Sequence, residues 1–281
     1  MKKKKKVDFK EIGLDIGLIL AKQFFNTEYL HYGYWSEGLS VETSNVSQAQ
    51  ENYANFILSH IPESTKTILD VGCGAGKFAA KLLDFGFTVD CVSPSPNLTR
   101  HVRKLVGDRS EIFECGYEAL KTDKKYDLIL FSESFQYIPL SDAFSQSLRF
   151  LNKGGHILIC DFFRRDVKET SPIGGGHDLK KFYQIIKEYP LKTIQDIDIT
   201  TETAPSLDIV DDFLHNAIHP IYDLIFYVLD NNYPLISKFI KRKYRKKLEK
   251  AEYKYLQRKT NGDSFAKFKS YHLLLLEQSD K

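Results

Sequence analysis

The stretch Thr65 to Leu83, TKTILDVGCGAGKFAAKLL, passes from a β-branched apolar run through three glycines in five residues into a helix-like pattern. Glycines at 72, 74 and 76 let the backbone leave a strand sharply and come close to a ligand, beside the free N–H groups that open the next helix. A strand–turn–helix unit of this kind is built to hold a small molecule. A phosphate loop needs a Gly-Lys-Ser/Thr four residues after its first glycine, whereas Lys77 is followed by Phe78, which argues against ATP. A dinucleotide fingerprint would place its third glycine at position 77, where Lys stands, so NAD(P) is a second reading only.

Around this unit, short apolar runs alternate with helical patterns. Strands are expected at 67–71, 88–92, 111–115, 126–131 and 155–163, with helices over Lys77 to Phe85, Asn97 to Val106 and Ser141 to Leu151. This alternation predicts right-handed βαβ units and a doubly wound α/β core. Two further strand-like runs, 191–200 and 270–278, are separated by a long stretch of helical spacing and clustered charge. A structureless connection of that size is improbable in a compact domain, so the stretch reads as an inserted helical layer. The predicted organisation is a helical cap over 1–55, a core over 56–204 and 268–281, and a helical lid over 205–267 that covers the substrate pocket.

With 281 residues, 42% of them apolar, the chain can fill a substantial core. Its 40 Lys and Arg against 37 Asp and Glu fall short of the basic balance of a dedicated nucleic-acid domain. Cys73, Cys91, Cys115 and Cys160 lie in apolar segments without CxxC spacing and read as reduced core residues, with neither a disulfide framework nor a zinc site indicated. The start, MKKKKKVDFKEIGLDIGLILAKQFF, mimics a signal peptide, but Lys10, Glu11 and Asp15 interrupt its apolar part. No run is long and uncharged enough to span a bilayer, and the expectation is a cytoplasmic protein, at most peripheral to a membrane.

The segment ILDVGCGAGKFA resembles motif I of the class I S-adenosylmethionine-dependent methyltransferases, a strand ending in Asp/Glu-x-Gly-x-Gly-x-Gly. The resemblance implies a Rossmann-like, doubly wound, seven-stranded sheet with one late antiparallel strand, S-adenosylmethionine as cofactor and S-adenosylhomocysteine as product. Carried over by position, Asp70 holds the cofactor's amino group, and Gly72, Cys73, Gly74 and Gly76 pass under its methionine and ribose. The second strand of the family ends in an acidic ribose-binding residue; CVSPSPNL puts Ser93 there, followed by Pro94, and a hydroxyl makes one such bond rather than a bidentate pair. FECGYEAL matches the loop beside the adenine and implicates Gly116, Tyr117 and Glu118. YDLILFSESFQYI matches the fourth strand and its end, which brings Ser132, Glu133, Gln136 and Tyr137 near the methionine half and the substrate.

Enzymes of this fold that methylate nucleic-acid amines carry Asn/Asp-Pro-Pro-Tyr/Phe at that strand end, where this chain has SESF, so a nucleic-acid substrate is disfavoured. Asp161, in the fifth strand, either faces the substrate pocket or caps the strand. The N-terminal EYLHYGYWSEG resembles small-molecule and lipid methyltransferases of the tocopherol and cyclopropane-fatty-acid group. Its Tyr32, Tyr34 and Trp35 are expected to cover the cofactor, since an aromatic face attracts a cation by about 1 kcal/mol.

In-line methyl transfer needs alignment and exclusion of water rather than a covalent enzyme nucleophile. For a hydroxyl acceptor a base helps, and His177 in the glycine-rich SPIGGGHDL is the candidate, ahead of His215, His219 and His31, with Glu133 and Tyr137 at the reacting end. The inserted layer joins the apolar IYDLIFYVL (221–229) to the basic KFIKRKYRKKLEK (238–250). That pairing suits an amphipathic acceptor or peripheral contact with an anionic membrane; tyrosines at 244, 253 and 255 also permit a nucleic-acid reading, ranked lower. The expected acceptor is a small, apolar or lipid-like molecule. The rivals are an NAD(P)-dependent oxidoreductase and a non-catalytic membrane-surface nucleotide-binding module.

Overall fold

The carboxyl ends of three parallel strands meet at the glycine turn, and the rest of the fold exists to hold them there. The computed structural model describes residues 9–255 and 257–279; the side chains of 9–11, 250–251 and 254–255 are not described, so the lysine run at 2–6 and the side chains of Lys250 and Tyr255 lie outside the described residues. Eight strands form one sheet: β1 (Thr67–Val71), β2 (Thr88–Val92), β3 (Ile112–Phe113), β4 (Tyr126–Ser132), β5 (Leu151–Arg164), β6 (His177–Asp178), β7 (Leu191–Asp198) and β8 (Lys269–Gln278). The spatial order is β3-β2-β1-β4-β5-β8-β7, with the two-residue β6 paired to β5 off this path. β1 to β5 are mutually parallel, and β8 runs antiparallel between β5 and β7. This is the doubly wound sheet with one inverted strand that the sequence predicts.

The central strands are largely apolar on both faces because helices cover each side, and successive residues pack alternately on the two sides. Ile68, Leu128, Leu130 and Leu158 pack on one side with Phe78 and Leu82 of α3 (Lys77–Asp84) and Val102 of α4 (Pro96–Val106). Leu69, Ile129, Phe131 and Ile157 pack on the other with Phe144 and Phe150 of α5 (Leu140–Phe150) and Phe182 of α6 (Leu179–Ile185). In α4, Leu98, Val102 and Val106 recur every fourth residue, Pro96 occupies the first turn, and Ser95 caps it by accepting from Leu98 N at 3.2 Å.

The third strand is shorter than the predicted 111–115. Glu111 O already accepts from Cys91 N of β2 at 2.9 Å, but the strand ends at Phe113, whose carbonyl accepts from Cys115 N at 3.0 Å and turns the chain away from the sheet. The glycine-rich loop after β5 is pinned by β6, whose His177 and Asp178 pair with Phe163 and Arg164.

Ahead of the sheet lie α1 (Phe9–Phe24) and α2 (Val46–Ser59), joined by a mostly extended segment. After β7 the inserted layer comprises α7 (Thr200–Thr203), α8 (Pro205–Phe213), a π-helical turn (Leu214–Ile218), α9 (His219–Asn232), α10 (Pro234–Tyr255) and α11 (Gly262–Phe268). α8 and α11 pack on the core through Leu207, Phe265 and Phe268, whereas α9 has no buried residue. Among the described residues no helix is long and apolar enough to cross a membrane.

Candidate active site

A cavity of about 250 Å³ opens at the ends of β1, β2 and β4. In a doubly wound sheet the crevice lies where successive connections turn to opposite sides; here that point is β1, flanked by β2 and β4. Its floor is Asp70 and the turn Gly72 to Ala75, its sides are Ser93 to Ser95 and Ser132 to Ser134, and Tyr137 stands at the rim, largely exposed.

The three glycines have different physical duties. All have positive φ, at +79°, +55° and +89°. A Cβ on Gly72 would sit 2.4 Å from Ser134 Cβ, and one on Gly76 2.9 Å from Val102 Cα, so these two are dictated by packing. A Cβ on Gly74 would meet only Leu30 Cδ1 at 3.9 Å. Gly74 therefore leaves its space to the cavity.

Polar groups beside the cavity lack partners. Asp70 is buried, its Oδ2 accepts no hydrogen bond, and burial pushes its carboxyl up to about 7. Ser132 Oγ and His31 Nε2 are likewise buried without a partner. His31 Nδ1 lies 2.7 Å from the Tyr32 carbonyl, which can only accept, so the ring proton is on Nδ1 and Nε2 carries a lone pair. Burial, opposed by that hydrogen bond, lowers His31 to about 4 and keeps the ring neutral. A buried carboxylate oxygen, an imidazole lone pair and a hydroxyl around one cavity call for a ligand with several donors, one of them cationic. The ammonium and hydroxyl groups of S-adenosylmethionine supply that set.

Glu133, one residue beyond β4, has φ +55°, a region that L side chains rarely occupy. Its Oε1 accepts from Tyr32 N at 2.6 Å and from the Tyr271 hydroxyl at 2.8 Å, and Tyr271 in turn lies 2.7 Å from the Tyr53 hydroxyl. Burial, the larger effect, together with the nearby Asp161, pushes Glu133 up to about 8 against those hydrogen bonds. Tyr271 belongs to a cluster of rings with Tyr32, Phe162 and Phe265, their centroids 5.6 to 6.5 Å apart, which packs in the core and does not line the cavity.

Several predicted contacts lie elsewhere. Tyr34 stacks on Phe56 at 4.9 Å, and the Trp35 indole donates to Ser206 Oγ at 3.0 Å, so neither lines the cavity. The cause is Gly33, whose absent Cβ would lie 2.6 Å from Ala49 Cβ: the chain lies flat on α2, and Tyr34 N bonds Ala49 O. The N-terminal contribution comes instead from Glu28 to His31 and from Leu14 of α1, of which the sequence reading named His31 only as a weak base candidate and missed the others. The Gly33–Ala49 pair of small residues is the signal that bore on it. Tyr32 offers its backbone to Glu133 and its ring to the aromatic cluster.

Gly116, Tyr117 and Glu118 also fall outside the cavity lining. Tyr117 is a core residue, its hydroxyl 3.0 Å from Ser147 Oγ and its ring edge-on to Phe131, while the Glu118 carboxylate folds over Gly116. Gln136 clamps Asp161 through its backbone N (3.0 Å) and side chain (3.1 Å) and accepts from Gly176 N, so it braces the site from behind. Asp161 is fully buried inside β5, its carboxylate taken up by Gln136 and Phe162 N, and it does not cap the strand. His177 does not reach the cavity: Nε2 lies 3.1 and 2.9 Å from the carbonyls of Phe135 and Ile138, which places its proton there and makes the ring a clasp between β6 and the loop after β4. Among the described residues, none of 205–267 lines the cavity, so the expected lid does not close over it. Ser93, buried, keeps its position and accepts from Ser95 N at 3.3 Å.

The methyltransferase domain family matches residues 46–197, more than half of the chain. The chain belongs to this family. Its members of this fold use S-adenosylmethionine, the ligand that the unpartnered groups fit. Among curated proteins the chain is 28% identical over 146 residues to malonyl-[acyl-carrier protein] O-methyltransferase 2 of Ilyobacter polytropus, a match covering 48% of this chain and 54% of that one, so the chain spans about half the length of that relative. Its fold is similar to that of the cyclopropane synthase MmaA2 of Mycobacterium tuberculosis (TM-score 0.69, 14% identity, 96% of this chain and 98% of that chain). It is also similar to geranyl diphosphate C-methyltransferase of Streptomyces coelicolor, solved with S-adenosyl-L-homocysteine (TM-score 0.66, 15% identity, 98% and 100% covered).

Proposed function

We propose that the protein transfers a methyl group from S-adenosylmethionine to a small, apolar or lipid-like acceptor, with Glu133 taking up the proton that the acceptor loses. The bound cofactor supplies an activated methyl carbon on a cationic sulfonium. Asp70 and His31 Nε2 receive its donors, Gly74 lets the backbone approach, and Ser93 offers its hydroxyl proton to a ribose oxygen.

The observation that carries the acceptor side is Glu133: a cavity-lining carboxyl raised to about 8 and held by two donors, Tyr32 N and the Tyr271 hydroxyl, at the strand end. A base tuned near neutrality, in a cavity that Leu14, Leu30, Phe78 and Leu98 also line, suits a weakly acidic nucleophile on an apolar body. Tyr137, exposed at the rim, is positioned to meet the acceptor as it enters. The names of the similar proteins, a methyltransferase of malonyl-acyl-carrier protein and one of geranyl diphosphate, support an acceptor of this kind.

The test is Glu133→Gln. Methyl transfer to a panel of prenyl, acyl and phenolic acceptors should fall about 10²- to 10⁴-fold, the usual contribution of a general base, while S-adenosylhomocysteine affinity by calorimetry stays within a few-fold. Undiminished turnover in the variant removes Glu133 from the proton path.

A further inference from the structure

The hairpin of α9 and α10 leaves its apolar side chains in water. Leu224 is 65% exposed, Leu235 83% and Phe239 60%, with Ile221, Ile225 and Ile236 more than half exposed. Between 238 and 247 the chain carries seven Lys or Arg and no acid, while the whole chain is only +3, so the remainder is net acidic. Cations and exposed rings interleave: Lys241 Nζ lies 5.3 Å from the Phe226 ring, and Lys243 Nζ 5.3 Å from Phe239 and 5.5 Å from Tyr244. The hairpin is held in shape from within, Ser237 Oγ donating to Asp230 at 2.5 Å and Lys241 pairing with the same carboxylate at 2.7 Å.

We propose that this hairpin docks the protein on the surface of an anionic lipid bilayer, with Leu224, Leu235 and Phe239 entering the interface and the 238–247 cations meeting lipid phosphates. Aliphatic and aromatic tips beside long-stemmed cations are the composition of a helix that lies in the headgroup region. Neither helix is long and apolar enough to span, so the contact is with one leaflet. Charge selects this occupant over a second copy of the chain, because a symmetric pairing through the same surface would bring two such cationic helices together. The rest of the chain is net acidic, and among the described residues this hairpin carries the densest run of cations that an anionic surface would attract.

The experiment is co-sedimentation of the full chain with vesicles of phosphatidylcholine alone and of phosphatidylcholine containing one quarter phosphatidylserine. The parent should bind the phosphatidylserine vesicles, weakly or not at all the neutral ones, and release them as salt rises. Lys238→Gln, Arg242→Gln, Lys243→Gln and Lys246→Gln together should weaken that binding several hundredfold, at about 1 kcal/mol for each basic residue near the surface. Leu224→Ser, Leu235→Ser and Phe239→Ser together should weaken it by roughly tenfold or more through lost apolar burial. Unchanged S-adenosylhomocysteine affinity in both variants establishes that they are folded and keeps this test independent of the methyl-transfer reading. Absence of vesicle binding by the parent, binding that survives the glutamine substitutions, or a dimer in sedimentation equilibrium that the serine substitutions dissociate while vesicles are ignored would each overturn the proposal.

Discussion

The glycine edge of the sheet and the α9–α10 hairpin are opposite kinds of surface left open by the same chain. At the edge, polar atoms are buried without partners: Asp70 Oδ2, Ser132 Oγ and His31 Nε2. On the hairpin, apolar side chains such as Leu224 and Leu235 stand in water. The first is concave and small, about 250 Å³, and calls for one molecule rich in donors. The second is an exposed apolar face spread along two helices, and only a large partner can cover it. The difference teaches that an unsatisfied polar group points to a ligand of matching size and chemistry, whereas an uncovered apolar face points to a surface.

The contrast is broken most severely at Gly74. Gly74→Val should abolish S-adenosylhomocysteine binding in calorimetry by filling the approach, and should cost about 1–3 kcal/mol in unfolding because a β-branched residue is strained at φ +55°, although only Leu30 stands near the added carbon. Tight binding retained by this variant would remove the glycine turn as the cofactor's seat.

Apolar residues of the two regions should differ next. Leu130→Ala, fully buried in β4, should cost about 2–5 kcal/mol in denaturant unfolding. Leu224→Ser, 65% exposed, should stay within about 0.5 kcal/mol. Comparable losses at the two sites would mean that the hairpin packs on the core after all.

The finest distinction lies within the edge itself. Asp70→Asn should weaken S-adenosylhomocysteine by about 1.5–3 kcal/mol, the range for a hydrogen bond to a charged group, and Ser93→Ala by only about 0.5–1.5 kcal/mol. Because burial holds the Asp70 carboxyl up to about 7, the cofactor-free native state binds its proton more tightly than the unfolded chain does. Stability from this group is therefore fully present at acid pH and declines as pH rises through the carboxylate range toward 7, while cofactor affinity climbs as the carboxylate forms. The asparagine variant should lose both slopes. A reversed order of the two substitutions would exchange the contacts assigned to them.

Much of the frame was legible because it is local. Runs such as TILDV and YDLILF are mostly apolar because both faces of a central parallel strand are covered, and the turn between β1 and α3 needs positive φ at three positions, which in a run of this kind means glycine. Asp70, Ser93 and Glu133 followed from their places at strand ends, since every parallel strand delivers its carboxyl end to the same edge.

What sequence reading misplaced was decided by packing between distant segments. Tyr34, Trp35 and Tyr117 carry the side chains of a binding residue, yet α8 and α5 had claimed Trp35 and Tyr117 for the interior and α2 had stacked Tyr34 on Phe56. His177 looked free in a glycine-rich loop until pairing of β6 with β5 set its ring on two carbonyls 39 and 42 residues away in sequence. His31, ranked last among the histidines, gained its place by the opposite route, when the Gly33–Ala49 contact pressed the N-terminal segment against the glycine turn. The sequence by itself determined the strand order's raw material, the glycine turn and the acidic residue beneath it, because each depends on the propensities of a few neighbouring residues. Which aromatic, histidine or amide reaches the ligand depends on contacts across the chain, and only the tertiary structure decided it.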